Sequence, residues 1–246
     1  MDFSIRRINA LLKKEIKDFA KNMNVSVMCF LPIMFSIIYS KLLRSNSTND
    51  VMNTINILIL CVGMNISLIS SMVISMLIAE EKEKNTLRTL ILSAVSPWEF
   101  LAGKVLITFL VSEVINIVIF FSIGCDIQYL GKYILITTLV LFSMIEIGAI
   151  IGIISPNQMA TGVFSMPVVM IFFVIPMFAE VNKTIETIET IAKFLPSYHM
   201  NIMIARLFKG ETFGIESTRS IAIILVWIII AVIAFAFTYN KRGLDK

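Results

Sequence analysis

The chain has 246 residues, 57% of them hydrophobic and only 15% charged, with a mean hydropathy of +0.88, where an average soluble domain is about 25% charged. That composition excludes a soluble globular protein and describes an integral membrane protein. The net charge of +4 is what basic residues beside membrane spans produce, so it gives no reason to expect a nucleic-acid partner.

Met1 to Lys21 sets Ile5, Ile8, Leu12, Ile16 and Phe19 at helical intervals, with Arg6, Arg7, Lys13, Lys14 and Lys17 between them. This is the pattern of an amphipathic helix lying in a membrane interface, against the alternative of a disordered basic tail. It does not fit a secretory signal peptide, because the next apolar run is too long and no small-residue cleavage site closes it. Six apolar runs follow, at residues 25–43, 55–79, 105–123, 133–154, 163–179 and 221–239, each near the roughly 20 residues that cross a hydrocarbon core as a helix. Being continuous rather than alternating, they exclude barrel strands. The expected fold is all-α, a single transmembrane domain over 1–246 with six spans. With both termini in the cytoplasm, 13 of the 21 Lys and Arg residues lie inside, and the dense N-terminal cluster favours that orientation.

Between the second and third runs, residues 80–104 read EEKEKNTLRTLILSAVSPWEFLAGK, the most charged and most patterned segment of the chain. On a helix, Leu87, Leu90, Ile91 and Ala94 form one apolar stripe, while Thr86, Arg88, Thr89 and Ser93 face elsewhere. A short helix lying across the cytoplasmic ends of two spans, with that stripe exposed, is expected to dock on a cytosolic partner.

Polar residues inside the spans are few. Glu113 lies nine residues after Lys104 and Glu146 nine residues before Ser155, which sets both about 13 Å from the cytoplasmic face if the spans start and stop there. No Lys, Arg or His stands at that level, so a bare carboxylate would cost roughly 2.5–3.5 kcal/mol or more. Neutral interhelical struts and pathway residues, with Asn116 and Ser143 as hydrogen-bonding neighbours, are the two readings. Asn65 reads as helix glue. Ser67, Ser71 and Ser75 recur every fourth residue, and Gly148 to Gly152 is a GxxxG pattern; both allow close helix packing. Pro32, Pro167 and Pro176 lie within apolar runs and are expected to kink them.

Residues 180–215 form a second polar segment. Val181, Ile185, Ile188 and Ala192 share a face, Pro196 interrupts the pattern, and Met200 to Phe208 resumes it. Both pieces are too polar to span, so an outer helical pair is expected, lying on the surface or dipping into the bundle. His199 has no second His or Cys near it, which leaves an interfacial polar residue rather than a metal site. Cys29, Cys61 and Cys125 have neither CxxC nor Cys/His spacing, so no disulfide framework or zinc site is expected.

The run Glu83-Lys84-Asn85-Thr86-Leu87, then Leu90-Ile91-Leu92-Ser93, then Pro97-Trp98-Glu99-Phe100-Leu101-Ala102-Gly103-Lys104 resembles the cytoplasmic loop of ABC-2 type permeases, the membrane subunits of a class of ATP-binding cassette exporters. Asn85 stands where that family usually has Gly, and Ala94 where it usually has Pro. Leu195-Pro196-Ser197-Tyr198, with Arg206 and Gly210, resembles the family's segment before the last span. The resemblance implies that Thr86, Leu87, Leu90, Ile91 and Ala94 belong to a coupling helix seated on a separate ATPase subunit. It also implies that two permeases, identical or similar, form the pathway. No GxxxxGK(S/T) motif is present, and Gly103-Lys104 is followed by Val105. The chain is therefore expected to be no enzyme itself, with ATP and Mg bound by the partner and no cofactor or metal of its own.

Fifteen Met and 18 Phe favour amphipathic or hydrophobic cargo, such as antimicrobial or toxin peptides, lipid-like molecules or drugs. The abundance of Ile, Asn and Lys suits an AT-rich bacterial genome, so the expected location is a bacterial cell membrane. The competing function is a secondary transporter coupled to ions or protons through Glu113 and Glu146, for which inverted repeats would be the signature; none is evident. A membrane scaffold without a pathway is the third reading.

Overall fold

The computed structural model describes residues 5–45, 51–84, 97–181, 186–211 and 214–242, and among these every extended element is a helix. The five coupling-helix candidates Thr86, Leu87, Leu90, Ile91 and Ala94 lie outside the described residues.

α1 (Ile5–Lys21) is followed after one residue by α2 (Met23–Ser45). The second long rod joins α3 (Val51–Met64), a π-helical stretch (Asn65–Val73) and α4 (Ile74–Glu83). Then come α5 (Pro97–Ile123), α6 (Leu130–Ile154) and α7 (Gln158–Val169), the last continued by a π turn (Met170–Val174) and α8 (Ile175–Val181). α9 (Glu186–Ala192), α10 (Pro196–Phe208) and α11 (Ile215–Arg242) complete the described chain.

Six helical stretches are long and apolar enough to cross a membrane: Met23–Leu42, Asn53–Glu83, Glu99–Ile123, Ile127–Ile154, Gln158–Ala179 and Ile215–Lys241. They match the six apolar runs in order. The second and third reach further than the hydropathy of the sequence suggests, to Glu83 and back to Glu99. Charged residues end an apolar run on paper, yet both helices continue through them: Glu81, Glu99 and Lys104 are buried, and Lys82 and Glu83 are bonded to neighbouring helices.

The spans are not equivalent. In its most apolar window the second is 78% buried within the chain, whereas the first is 17% and the sixth 11% buried. The second, third and fourth spans thus form the core. Lipid tails are as apolar as Leu, so close packing rather than the hydrophobic effect holds such helices together. Here the two small-residue patterns meet. A Cβ on Gly148 would collide with the carbonyl oxygen of Ser71, and one on Gly152 would stand 2.8 Å from Ile78 Cβ and 3.0 Å from the Ser75 carbonyl oxygen.

The π-helical stretch Asn65–Val73 lies in that contact and contains no proline. Ser71 Oγ bonds back to the carbonyl of Ser67, one turn earlier, a bond that competes with the regular backbone ladder. The other π turn, Met170–Val174, falls between Pro167 and Pro176. Since Pro176 has no N–H to give and its ring crowds the preceding turn, the helix widens there, and the rod continues past both prolines.

The end of the bundle bearing α1 and the residues flanking 85–96 is rich in charge; the opposite end is covered by α9 and α10. Pro196 falls where the two amphipathic pieces separate, after α9 ends at Ala192. It stands in the first turn of α10, where a missing N–H costs nothing. Most of α10 is buried, through Met200, Met203, Ile204 and Leu207, against α3, α6 and α11. The segment therefore dips into the bundle.

Candidate functional site

At the charged end the run Glu80 to Lys84 makes a different connection with almost every residue. Glu80 Oε2 accepts a 2.8 Å bond from Asn22 Nδ2, between α1 and α2. Glu81 Oε1 takes Lys14 Nζ of α1 at 2.9 Å and Lys104 Nζ of α5 at 3.1 Å. Lys82 Nζ donates to the carbonyls of Ile153 at 2.7 Å and Ser155 at 2.9 Å, a cation at the carbonyl-rich end of α6. Glu83 Oε2 accepts from the backbone N–H of Gln158 at 3.0 Å, a carboxylate on the N-terminus of α7. One helix end thus fastens four neighbouring elements.

Lys104 is the centre of this junction. Its ammonium also lies 2.6 Å from Glu15 Oε2, with Lys104 2% and Glu15 1% exposed. The remaining oxygen Glu15 Oε1 is buried without a hydrogen bond. Burial raises the Glu15 carboxyl above its ordinary range, while the charge and hydrogen bond of Lys104 pull it back. At Lys14 burial pulls down, but the hydrogen bond and charge of Glu81 outweigh it and the ammonium is raised. Removing one member of such a buried pair is far costlier than never having had it, because the survivor is left as an uncompensated charge.

Deeper in, the second, third and fourth spans share a polar layer. Asn65 Nδ2 donates to Asn116 Oδ1 at 2.7 Å and to the Ser112 carbonyl at 2.9 Å, and Tyr133 Oη donates to the Asn116 carbonyl at 3.0 Å. Glu113, 8% exposed, accepts from Thr138 Oγ1 at 3.0 Å. Asn116 and Asn65 are fully buried. Glu113 Oε2 and Glu146 Oε2 are each buried with no hydrogen-bonding partner.

Equal depth for Glu113 and Glu146 is not what the helices give. Phe109 stacks on Phe142 with ring centroids 5.0 Å apart, and one turn along, Glu113 meets Thr138. Continuing that antiparallel register sets Glu146 opposite Val105, about 12 Å closer to the charged end than Glu113. The expectation fails because α5 starts at Pro97; Lys104 lies inside the helix and is a poor zero for a depth scale.

Towards the capped end a cavity of about 340 Å³ opens between the second span, the fifth span and α10. Ile59, Leu60, Phe172, Phe173 and Met177 wall it, and Asn56, Ser197 and Asn201 supply its polar edge. Ser197 Oγ and Asn201 Oδ1 are buried and unpartnered. The cap is pinned to the last span by Trp227 Nε1, which donates to the Phe194 carbonyl at 2.6 Å, and by a pair between Arg206 and Glu216. His199 is not a surface residue. Only 6% exposed, it bridges Ser220 Oγ at 3.0 Å and the Lys193 carbonyl at 2.9 Å, and burial lowers its proton affinity.

Residues 6–237 match the family model described as an ABC-2 family transporter protein, which is nearly the whole chain. The protein belongs to the ABC-2 transporter family. It is thus a multi-pass membrane subunit of an ABC transporter. No curated protein matches the chain.

What sequence reasoning missed in this ABC-2 subunit is the charged junction. Glu15, Glu81 and Lys104 looked like ordinary membrane-flanking charges. A signal was present, since Glu15 is the one acid on the face of α1 that carries Leu12 and Phe19, between basic residues. Of the pathway candidates, Asn116 is tied into the polar layer, while each glutamate keeps one free oxygen. No described group of His, Cys, Asp and Glu has the arrangement to hold a metal ion.

Proposed function

We propose that this chain is the permease of a bacterial ABC exporter, working with a second permease and with separate ATPase subunits that bind ATP and Mg. In this reading the charged end and both termini are cytoplasmic, residues 85–96 carry the coupling helix, and Thr86, Leu87, Leu90, Ile91 and Ala94 form its docking face. The observation that carries it is the charged junction. Glu81 and Lys104 flank the segment on either side and are tied together and to α1 by short ion pairs, while Lys82 and Glu83 hold the ends of α6 and α7. A push delivered to residues 85–96 therefore reaches most of the spans at once.

Amphipathic cargo fits the cavity beneath α10, whose walls are apolar and whose polar edge holds two hydrogen-bonding atoms without partners. Glu113 and Glu146 are the charged positions that a cargo's polar part would meet on the way, each with one carboxyl oxygen unengaged. Those same free oxygens favour the second reading, an ion- or proton-coupled transporter needing no ATPase.

Co-purification tests the first reading. The wild-type chain is expected to bring down an ATPase subunit, and Leu90→Asp with Ile91→Asp is expected to abolish this while the permease stays in the membrane. A wild-type chain isolated without any ATPase, yet transporting on an ion gradient, would favour the second. Glu113→Gln and Glu146→Gln keep hydrogen bonding and remove the charge, so they are expected to leave the complex intact and change the pH profile of its ATP hydrolysis. Unchanged profiles would make both acids struts.

A further inference from the structure

Two observations about α1 do not suit a helix that merely rests on a membrane. Its most buried acid, Glu15, points inward to the Lys104 ammonium at 2.6 Å, and Lys14 beside it crosses to Glu81 at 2.9 Å. The outward face still carries exposed Lys13, Ile16, Lys17 and Lys21, a surface suited to anionic headgroups. α1 therefore has one face for lipid and one face committed to the two helices that flank residues 85–96.

We propose that Glu15, Glu81 and Lys104 form a buried latch that makes α1, the end of α4 and the start of α5 move as one body during the ATPase cycle. The proposal rests on the reading of residues 85–96 as a coupling segment. The argument is one of geometry and cost. An oxygen of Glu81 is shared by lysines from two other elements, and Lys104 is shared by carboxylates from two other elements. Separating any pair inside this buried contact strands a charge, which is expensive, whereas moving all three together keeps both ion pairs of Lys104. The cation–ring contact of Lys104 over Phe100, 5.5 Å from the centroid, fixes the ammonium further within α5. The latch thus extends the receiver of the ATPase's motion from the coupling segment to a helix anchored in the lipid surface. Glu15, Glu81 and Lys104 are positioning residues in this scheme.

The test uses the permease–ATPase complex reconstituted in lipid nanodiscs, with spin labels at Lys17→Cys on α1 and Leu106→Cys on α5, both exposed, in a background lacking Cys29, Cys61 and Cys125. Between the nucleotide-free state and the state trapped with ATP and vanadate, the distance between labels is expected to change by less than about 2 Å, the scale of a small helix adjustment. A shift of about one helical turn, 5.4 Å, would overturn the latch. Glu81→Gln retains shape and hydrogen bonding and is expected to fold. It should lower the permease-dependent part of ATP hydrolysis by about five- to tenfold, the lower range of coupling between separated sites, with ATPase association unchanged and the label distance now moving. Lys104→Arg should restore most of the rate that Lys104→Met loses. If Glu81→Gln complexes hydrolyse ATP like the wild type, the latch is overturned while the exporter reading stands. If the wild-type chain binds no ATPase at all, it is the exporter reading that has failed.

Discussion

His199 illustrates how one residue's surroundings can turn a surface expectation into a structural device. Its ring joins α10 to the last span through Ser220 and to the preceding corner through the Lys193 carbonyl. The Nε2 atom must donate to that carbonyl, so the neutral ring leaves Nδ1 as the acceptor facing Ser220. Burial lowers its pKa below the ordinary 6.5, the nearby Arg219 charge acting in the same direction against the Lys193 hydrogen bond. A lowered folded-state pKa means that the undocked state binds more protons as pH falls. The contribution is complete above 6.5 and is lost as pH falls through the lower, folded value. Hydrogen exchange of the α10 amides, corrected for intrinsic rates, is expected to accelerate below pH 6.5 in the wild type. His199→Gln, which can still donate to the carbonyl but cannot titrate, is expected to flatten that dependence. The same acceleration in the variant would assign it to other groups.

At the scale of elements, the contact between the second span and α6 depends on glycines more than on any polar group. Gly148→Val would drive a branched side chain into the Ser71 backbone, and backbone cannot rotate out of the way. Overpacking of this kind typically costs 1–3 kcal/mol, occasionally more, so a clear fall in thermal stability in detergent is expected. Gly131→Ala, at a helical position with open space around it, should be neutral or slightly stabilising. Equal stability of the two variants would mean that the close approach is not maintained in solution. The six spans were legible in the sequence because a stretch of about 20 apolar residues has few alternatives in a membrane. The serine and glycine patterns were visible separately, but their meeting depends on the register between two spans more than 70 residues apart. The π-helical stretch was not legible at all. No proline marks it, and serines every fourth residue fit a regular α-helix equally well. The ends of the second and third spans were misjudged for a related reason, as Glu81, Glu99 and Lys104 read as exposed boundaries until their buried surroundings are known.

On the scale of the whole molecule, the apolar faces of the outer spans remain uncovered within the chain. Phe30, Met34 and Ile38 on α2, and Met159, Val163 and Met166 on α7, are all more than a third exposed, and the fifth span is only 28% buried in its apolar window. Lipid satisfies such faces without cost, so exposure alone does not call for a partner protein. The cavity supplies the stronger reason. Its described walls come from the second and fifth spans and α10, and about 340 Å³ is near the lower limit for a small-molecule pocket. A peptide-sized cargo needs a larger enclosure, and a second copy can provide further walls by rotation about a two-fold axis. In the proposed two-permease assembly, the resemblance to ABC-2 permeases implies a seam along the first and fifth spans, which are among the least buried here. Native mass measurement of the solubilised complex is expected to find two permease chains with two ATPase subunits. Introducing Trp at Val163, on the exposed face of the fifth span, should reduce the two-permease species while leaving each chain able to bind its ATPase. A complex holding a single permease that still exports would remove the two-fold pathway and leave the cavity beneath α10 as a site complete within one chain.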